Sequence, residues 1–141
     1  MNVEAKSVEL KVPVNGDYAS VVRLLISGLG TRLGLEYGEL ENLKLVASEA
    51  FLAIVDKCET AAGLISLAWR EDAQHITVSI SDPSGKHKSV TNAASMALLK
   101  KLGGEYTSSV VDGVEHLDIG FDIKHLDGRP VIFRDGTDGQ A

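Results

Sequence analysis

Cysteine is nearly missing from this chain: Cys58 stands alone among 141 residues, which excludes an internal disulfide. No Cys/His group has zinc spacing, and His75, His87, His116 and His125 are scattered, so solvated or structural roles are expected for them. Positive charge is also short. A formal net charge of −6 argues against a broad nucleic-acid or anionic-membrane surface. No run approaches the roughly 18 apolar residues of a membrane span, and the N-terminus lacks a basic-then-apolar leader. Walker, GxGxxG, GxSxG and HExxH patterns are absent. The expectation is a cytoplasmic protein with neither nucleic acid nor membrane as a direct partner.

Against these absences stands an ordinary globular composition, 44% hydrophobic, in a length that suits one domain with a real core. The stretch Glu39–Lys57 is free of Pro and Gly. Leu40, Leu43, Ala47, Ala50, Phe51 and Ile54 recur there at helical spacing, which predicts a helix with one apolar stripe. Glu39 and Glu41 open it and Lys57 closes it, as the helix dipole favours. Within it, Glu49 has Leu45, Val46, Leu52 and Ala53 at three and four residues either way. A carboxylate in such a setting needs a partner, a proton or a cleft. A salt bridge to Lys57 or Arg70 would make it structural.

The other elements follow in order. Ser7–Val14 alternates as a strand, and Pro13, which cannot donate to a ladder, puts it at a sheet edge or ends it there. Asn15-Gly16-Asp17 is a capping turn before a helix over Tyr18–Leu33, in which Gly28 and Gly30 are explained by close packing against a neighbour. A connection over Gly34–Gly38 leads into the central helix. Leu64–Arg70 and His75–Ser81 form a hairpin through the polar segment from Glu71 to Gln74. A loop follows Asp82, then a helix over Ala93–Leu102 stopped by Gly103-Gly104. Glu105–Val111 and Val114–Ile123 flank Asp112-Gly113, a two-residue hairpin turn. Trp69 and Phe51 sit in apolar patterns and are assigned to the core. The pattern fades after residue 123 apart from Val131-Ile132-Phe133, so the domain is placed at 1–123 and 124–141 is read as a tail, its last residues mobile. The order β-α-α-β-β-loop-α-β-β predicts an α+β two-layer sandwich. Helices lie on one face of a mixed, mainly antiparallel five-stranded sheet.

Three segments are candidates for chemistry: the Glu49 face, the strand end at Ser81-Asp82 with its loop, and the helix start at Ala93. Asp82 before Pro-Ser-Gly reads either as a turn-forming residue or as an acceptor for a ligand amine. Lys86-His87-Lys88, the one dense basic cluster, reads either as a solvated loop or as a lid that meets phosphates or an acidic partner.

The element order, Ser48-Glu49-Ala50 in the long helix, the strand ending in Asp82 and the small-residue helix before a hairpin resemble the anti-sigma-factor serine kinases, stand-alone members of the histidine-kinase-like (GHKL) ATPases. The likeness runs from about Val8 to Ile123. That family's helix motif is similar to SEAxxNAxxH, its Glu a catalytic base and its Asn a magnesium ligand. Here Glu49 falls on the base, Ala53 on the Asn and Lys57 four residues further on. A DxGxG motif implies that Asp82 reads the adenine amine of ATP, with Ser84 at a glycine position and Gly85 one residue out of register. A glycine-rich phosphate wrap corresponds to Ala93-Ala94-Ser95-Met96, so Ala93 and Ser95 are the implied phosphate contacts. Because magnesium takes only one or two protein ligands, Ala53 removes the main hold on the metal. The resemblance therefore implies a kinase-like domain that binds ATP through Asp82 with its magnesium site impaired. Partners would be a sigma factor or an anti-sigma-factor antagonist, and a homodimer is implied as well. Three functions follow: a partner-switching regulator with weakened or lost kinase activity; an active serine/threonine kinase in which Ser84, Ser95 or Asp56 replaces the missing Asn; and a scaffolding α+β domain.

Overall fold

The structure, a computed structural model, describes residues 6–58, 62–72, 74–83, 93–102 and 104–122. Five strands and three helices follow the order read from the sequence: β1 (Lys6–Pro13), α1 (Ala19–Arg32), α2 (Tyr37–Lys57), β2 (Leu64–Glu71), β3 (His75–Ser81), α3 (Ala93–Leu102), β4 (Glu105–Val111) and β5 (Val114–Asp122). A single 3-10 turn, Gly16–Tyr18, precedes α1, and the Asn15 side chain accepts the backbone N–H of Asp17 at 2.9 Å. Residues 123–141, including Val131-Ile132-Phe133, lie outside the described residues.

The strands form one sheet in the order β1-β2-β3-β5-β4, and all four pairings are antiparallel. The parallel character expected of a mixed sheet survives only between non-neighbours. β4 runs parallel to β3, but the β4–β5 hairpin inserts β5 between them. Pro13 ends the edge strand β1, where its missing N–H costs no ladder bond. Asp112 (φ 53°) and Gly113 (φ 81°) both take positive φ, the backbone of a type I′ turn. The β2–β3 turn is held by Asp72, whose Oδ1 accepts from the N–H groups of Gln74 (3.1 Å) and His75 (2.9 Å).

One sheet face is apolar and carries the helices. Ile65, Leu67 and Trp69 of β2, Ile76, Val78 and Ile80 of β3, and Leu117 and Ile119 of β5 are fully buried against Leu43, Val46, Ala47, Ala50, Phe51 and Ile54 of α2 and Val22 and Ile26 of α1. Trp69 and Phe51 are core, as their patterns require. α2 packs against both α1 and α3. α2 starts two residues before Glu39, and Glu39 Oε1 accepts the N–H of Glu36 at 3.3 Å. α1 ends in a Schellman motif: Gly34, at φ 76°, donates to Thr31 (2.9 Å) and Leu35 donates to Gly30 (3.2 Å). The two glycines of α1 differ. A Cβ on Gly30 would lie 2.5 Å from Leu40 Cδ1, so Gly30 permits close approach of α1 and α2. A Cβ on Gly28 would meet nothing within 4 Å, so close packing does not explain that residue. No helix among the described residues is long and apolar enough to cross a membrane.

Candidate functional site

The stripe that buries Ala50, Phe51 and Ile54 against the sheet turns Glu49 to the margin of the helix layer, where it is half-buried. Its four neighbours do not form a continuous apolar wall. Val46 is fully buried and Ala53 partly so, but Leu45 and Leu52 are 41% and 39% exposed. The apolar arc of α2 is wider than the surface its neighbours cover, so Glu49 stands at the border between core and solvent. Neither sequence-proposed cation is placed to neutralise it. Arg70 alternates onto the sheet face away from the helices. Lys57 lies eight residues on, about 12 Å along the axis. Ala53 follows Glu49 by one turn.

At the far end of α2 the helix meets the end of β3. Cys58 caps α2, its N–H bonded to Ile54 (3.0 Å) and Val55 (3.3 Å), and its thiol donates to Asp82 Oδ2 at 3.5 Å. Asp82 continues the alternation of Ile76, Val78 and Ile80 onto the helix face and is only 4% exposed. Burial, then the charge of Asp82 and its hydrogen bond, push the Cys58 thiol up to about 11. It is therefore a protonated donor at neutral pH and a poor nucleophile. Nine residues, about 13.5 Å of helix, separate Glu49 from Cys58. Glu49 and Asp82 thus mark two ends of one helix-lined stretch.

Ser84 and Gly85 lie outside the described residues, as does Lys86-His87-Lys88. Ala93 and Ser95 fall in the first turn of α3, the helix that packs on α2. One turn beyond Glu49, Ala53 has no side-chain oxygen to offer a cation, and among the described residues no group of three or more His, Cys, Asp or Glu could hold a metal.

Two polar clusters on the apolar sheet face were not anticipated. Glu71, 6% exposed, accepts from Trp69 Nε1 at 2.8 Å and from Arg32 Nη2 through both carboxylate oxygens, the longer contact 2.6 Å. Glu115, 7% exposed, accepts from Ser108 Oγ at 2.5 Å. The available signal was period-2 alternation, which puts Glu71 in phase with Trp69, and Glu115 in phase with Leu117 and Ile119. The opposite sheet face is open. A concavity of about 630 Å³ lies there, lined by Glu9, Lys11, Ser66, Arg70, Ser79 and Asp118 among others, and it reaches neither Glu49 nor Asp82.

A two-layer domain with an antiparallel five-stranded sheet under three helices, a glutamate midway along its long helix and a buried aspartate at a strand end is consistent with the histidine-kinase-like ATPase fold. Sequence relatives agree. The chain is 32% identical over 77 residues to the serine-protein kinase RsbW of Halalkalibacterium halodurans, covering 53% of this chain and 48% of that protein. It is 34% identical over 77 residues to RsbW of Oceanobacillus iheyensis (53% and 49%) and 42% identical over 50 residues to RsbW of Bacillus subtilis (36% and 31%). No family model matches the chain. The matched segment spans about half the length of the first two relatives, and the likeness supports the anti-sigma-factor serine kinase resemblance.

Proposed function

We propose that this chain is an anti-sigma-factor-like regulator of the partner-switching type, in which the kinase scaffold is kept and the ATP-dependent phosphotransfer is impaired or lost. The carrying observation is Ala53. One turn beyond Glu49, where the resembled motif has its magnesium-binding Asn, this helix carries a methyl group. Phosphoryl transfer relies on metal and electrostatic positioning of the phosphates, so Glu49 by itself does not supply it. Nucleotide binding is retained in this reading. The resemblance gives Asp82 the base amine and gives Ser84, Gly85, Ala93 and Ser95 the phosphate end together with Glu49. An extended ligand suits two carboxylates set a nucleotide's length apart along one helix. The partner is a sigma factor or an anti-sigma-factor antagonist, the setting is cytoplasmic, and a homodimer belongs to the same proposal.

The second reading, an active serine/threonine kinase acting on such an antagonist, is favoured by the retained Glu49 and by the name of the relatives, serine-protein kinase. Two experiments separate the readings. The tagged chain, purified from its native host, should bring down a sigma factor or an antagonist domain. That antagonist, incubated with the chain, labelled ATP and magnesium, should gain no phosphate. A phosphorylated serine on the antagonist selects the kinase, and the absence of either partner removes both.

A further inference from the structure

The last turn of α3 and the first residues of β4 enclose a cavity of about 370 Å³, lined by Leu99, Lys100, Gly104, Glu105, Tyr106 and Thr107. Its walls come from two elements that pack on each other, and its exposed lining is mainly apolar. β4 is also a sheet edge. Among the described residues it pairs only with β5, so the N–H and C=O groups on its outer side meet no further strand.

The two edges of the sheet are built differently. β1 carries Lys6, Lys11 and Pro13, residue types that keep an edge from pairing. β4 has neither lysine nor proline between Glu105 and Val111, and its Val110 and Val111 are 69% and 55% exposed. An edge rich in strand-favouring residues and left in this state invites a partner strand.

The chain itself supplies a segment of matching chemistry. Glu105 pairs with Gly120, so β5 ends at Asp122 beside the start of β4, at the cavity's end of the sheet. Beyond that point the sequence has one apolar run, Val131-Ile132-Phe133, of residue types that favour strands. Passing from β5 to the outer side of β4 crosses two strand spacings, about 10 Å. The connection over residues 123–130 spans up to about 26 Å when extended, so the run arrives there with slack. Pro130 then falls at the first position of an edge strand, where a missing N–H is tolerated. Charges match as well: Lys100 and Glu105 stand at the cavity, and Asp127 and Arg129 precede the run. The larger concavity on the opposite sheet face, lined by side chains such as Lys11, Arg70, Ser79 and Asp118, does not suit Val-Ile-Phe.

We propose that residues 131–133 lie along the outer edge of β4, with apolar side chains in the cavity beneath α3. Entry from the end of β5 makes the run parallel to β4. Docked there, it closes the unguarded edge and clamps α3, the helix that carries Ala93 and Ser95, onto the sheet.

The test is amide hydrogen exchange, read residue by residue by NMR, on the full chain and on Ile132→Asp combined with Phe133→Asp. In the wild-type chain the β4 amides that do not donate to β5 should be protected, equally at low and high protein concentration. In the double variant they should exchange about tenfold faster or more, while the amides of β2 and β3 keep their rates. That second set reports on the fold, so a general loosening is not mistaken for loss of the docked run. If the double variant does not fold, Phe133→Ser is read in the same way. Outward β4 amides that exchange freely in the wild-type chain overturn the proposal. Protection that disappears on dilution assigns the edge to a second copy and overturns it too, as does protection that the folded variant leaves unchanged.

Discussion

Replacing Glu71 by Ala tests how the helix layer is tied to the sheet. Glu71 ends β2 at 6% exposure and receives both the indole N–H of Trp69, itself fully buried, and the guanidinium of Arg32 at the end of α1. Truncation leaves the indole N–H without an acceptor in the core, a loss of about 1–3 kcal/mol. The Arg32 pairing adds less than its geometry suggests. Arg32 is 49% exposed, so solvent screening limits that part to about 1 kcal/mol. Glu71→Ala should therefore cost about 2–4 kcal/mol, lowering Tm by about 4 °C per kcal/mol in a domain of this size. Glu71→Gln keeps an oxygen for the indole and loses mainly the charge, so about 1 kcal/mol is expected. Urea denaturation followed by the fluorescence of Trp69, the sole tryptophan, gives both numbers and reports on the indole directly. If Glu71→Ala unfolds within 0.5 kcal/mol of wild type, roughly the scatter of neutral surface changes, the cluster does not tie α1 to β2.

Further tests address single positions. Gly28→Ala should stabilise by about 1 kcal/mol, because the site is exposed and open, whereas Gly30→Ala should destabilise by about 1–2 kcal/mol as its Cβ drives into Leu40 and Leu35; thermal melts of the pair should move in opposite directions. Gly113→Ala puts a side chain at φ 81° and should cost about 1 kcal/mol in urea denaturation. Thiolate absorbance should place the Cys58 pKa near 11, and Asp82→Asn should lower it while leaving it above 9.0, since burial is the larger cause. The folded-state value is raised, so this group's contribution to stability is complete below pH 9.0 and is lost as pH rises through about 11; denaturation midpoints between those limits check the sign.

The element boundaries were legible because the local signals agreed with the tertiary demands. Alternation in β2 and β3 and the Asp112-Gly113 turn each had one physical solution, and Pro13 left two, a sheet edge or a strand end, both of which β1 meets. Asp82 was legible as a strand-end carboxylate, but its burial and the Cys58 contact were not, because they depend on the end of α2 reaching the end of β3. Glu49 was read as more enclosed than it is. Spacing identifies which side chains share a helix face and says nothing of whether another element covers them, and Leu45 and Leu52 remain exposed. Glu71 was read as the first residue of the polar β2–β3 connection, whereas it ends β2 on the buried face, and Glu115 was not singled out although alternation put it there too. Their acceptability depends on Arg32 and Ser108, donors supplied from other elements.

The central claim, a nucleotide-capable scaffold without its metal, is tested most directly by titrating ATP into the wild-type chain and into Ala53→Asn, each with and without magnesium. ATP should bind the wild-type chain equally well in either condition. Ala53→Asn should bind more tightly only when magnesium is present, since the restored amide oxygen supplies the missing ligand. Wild-type binding that strengthens with magnesium as much as that of Ala53→Asn would contradict the account.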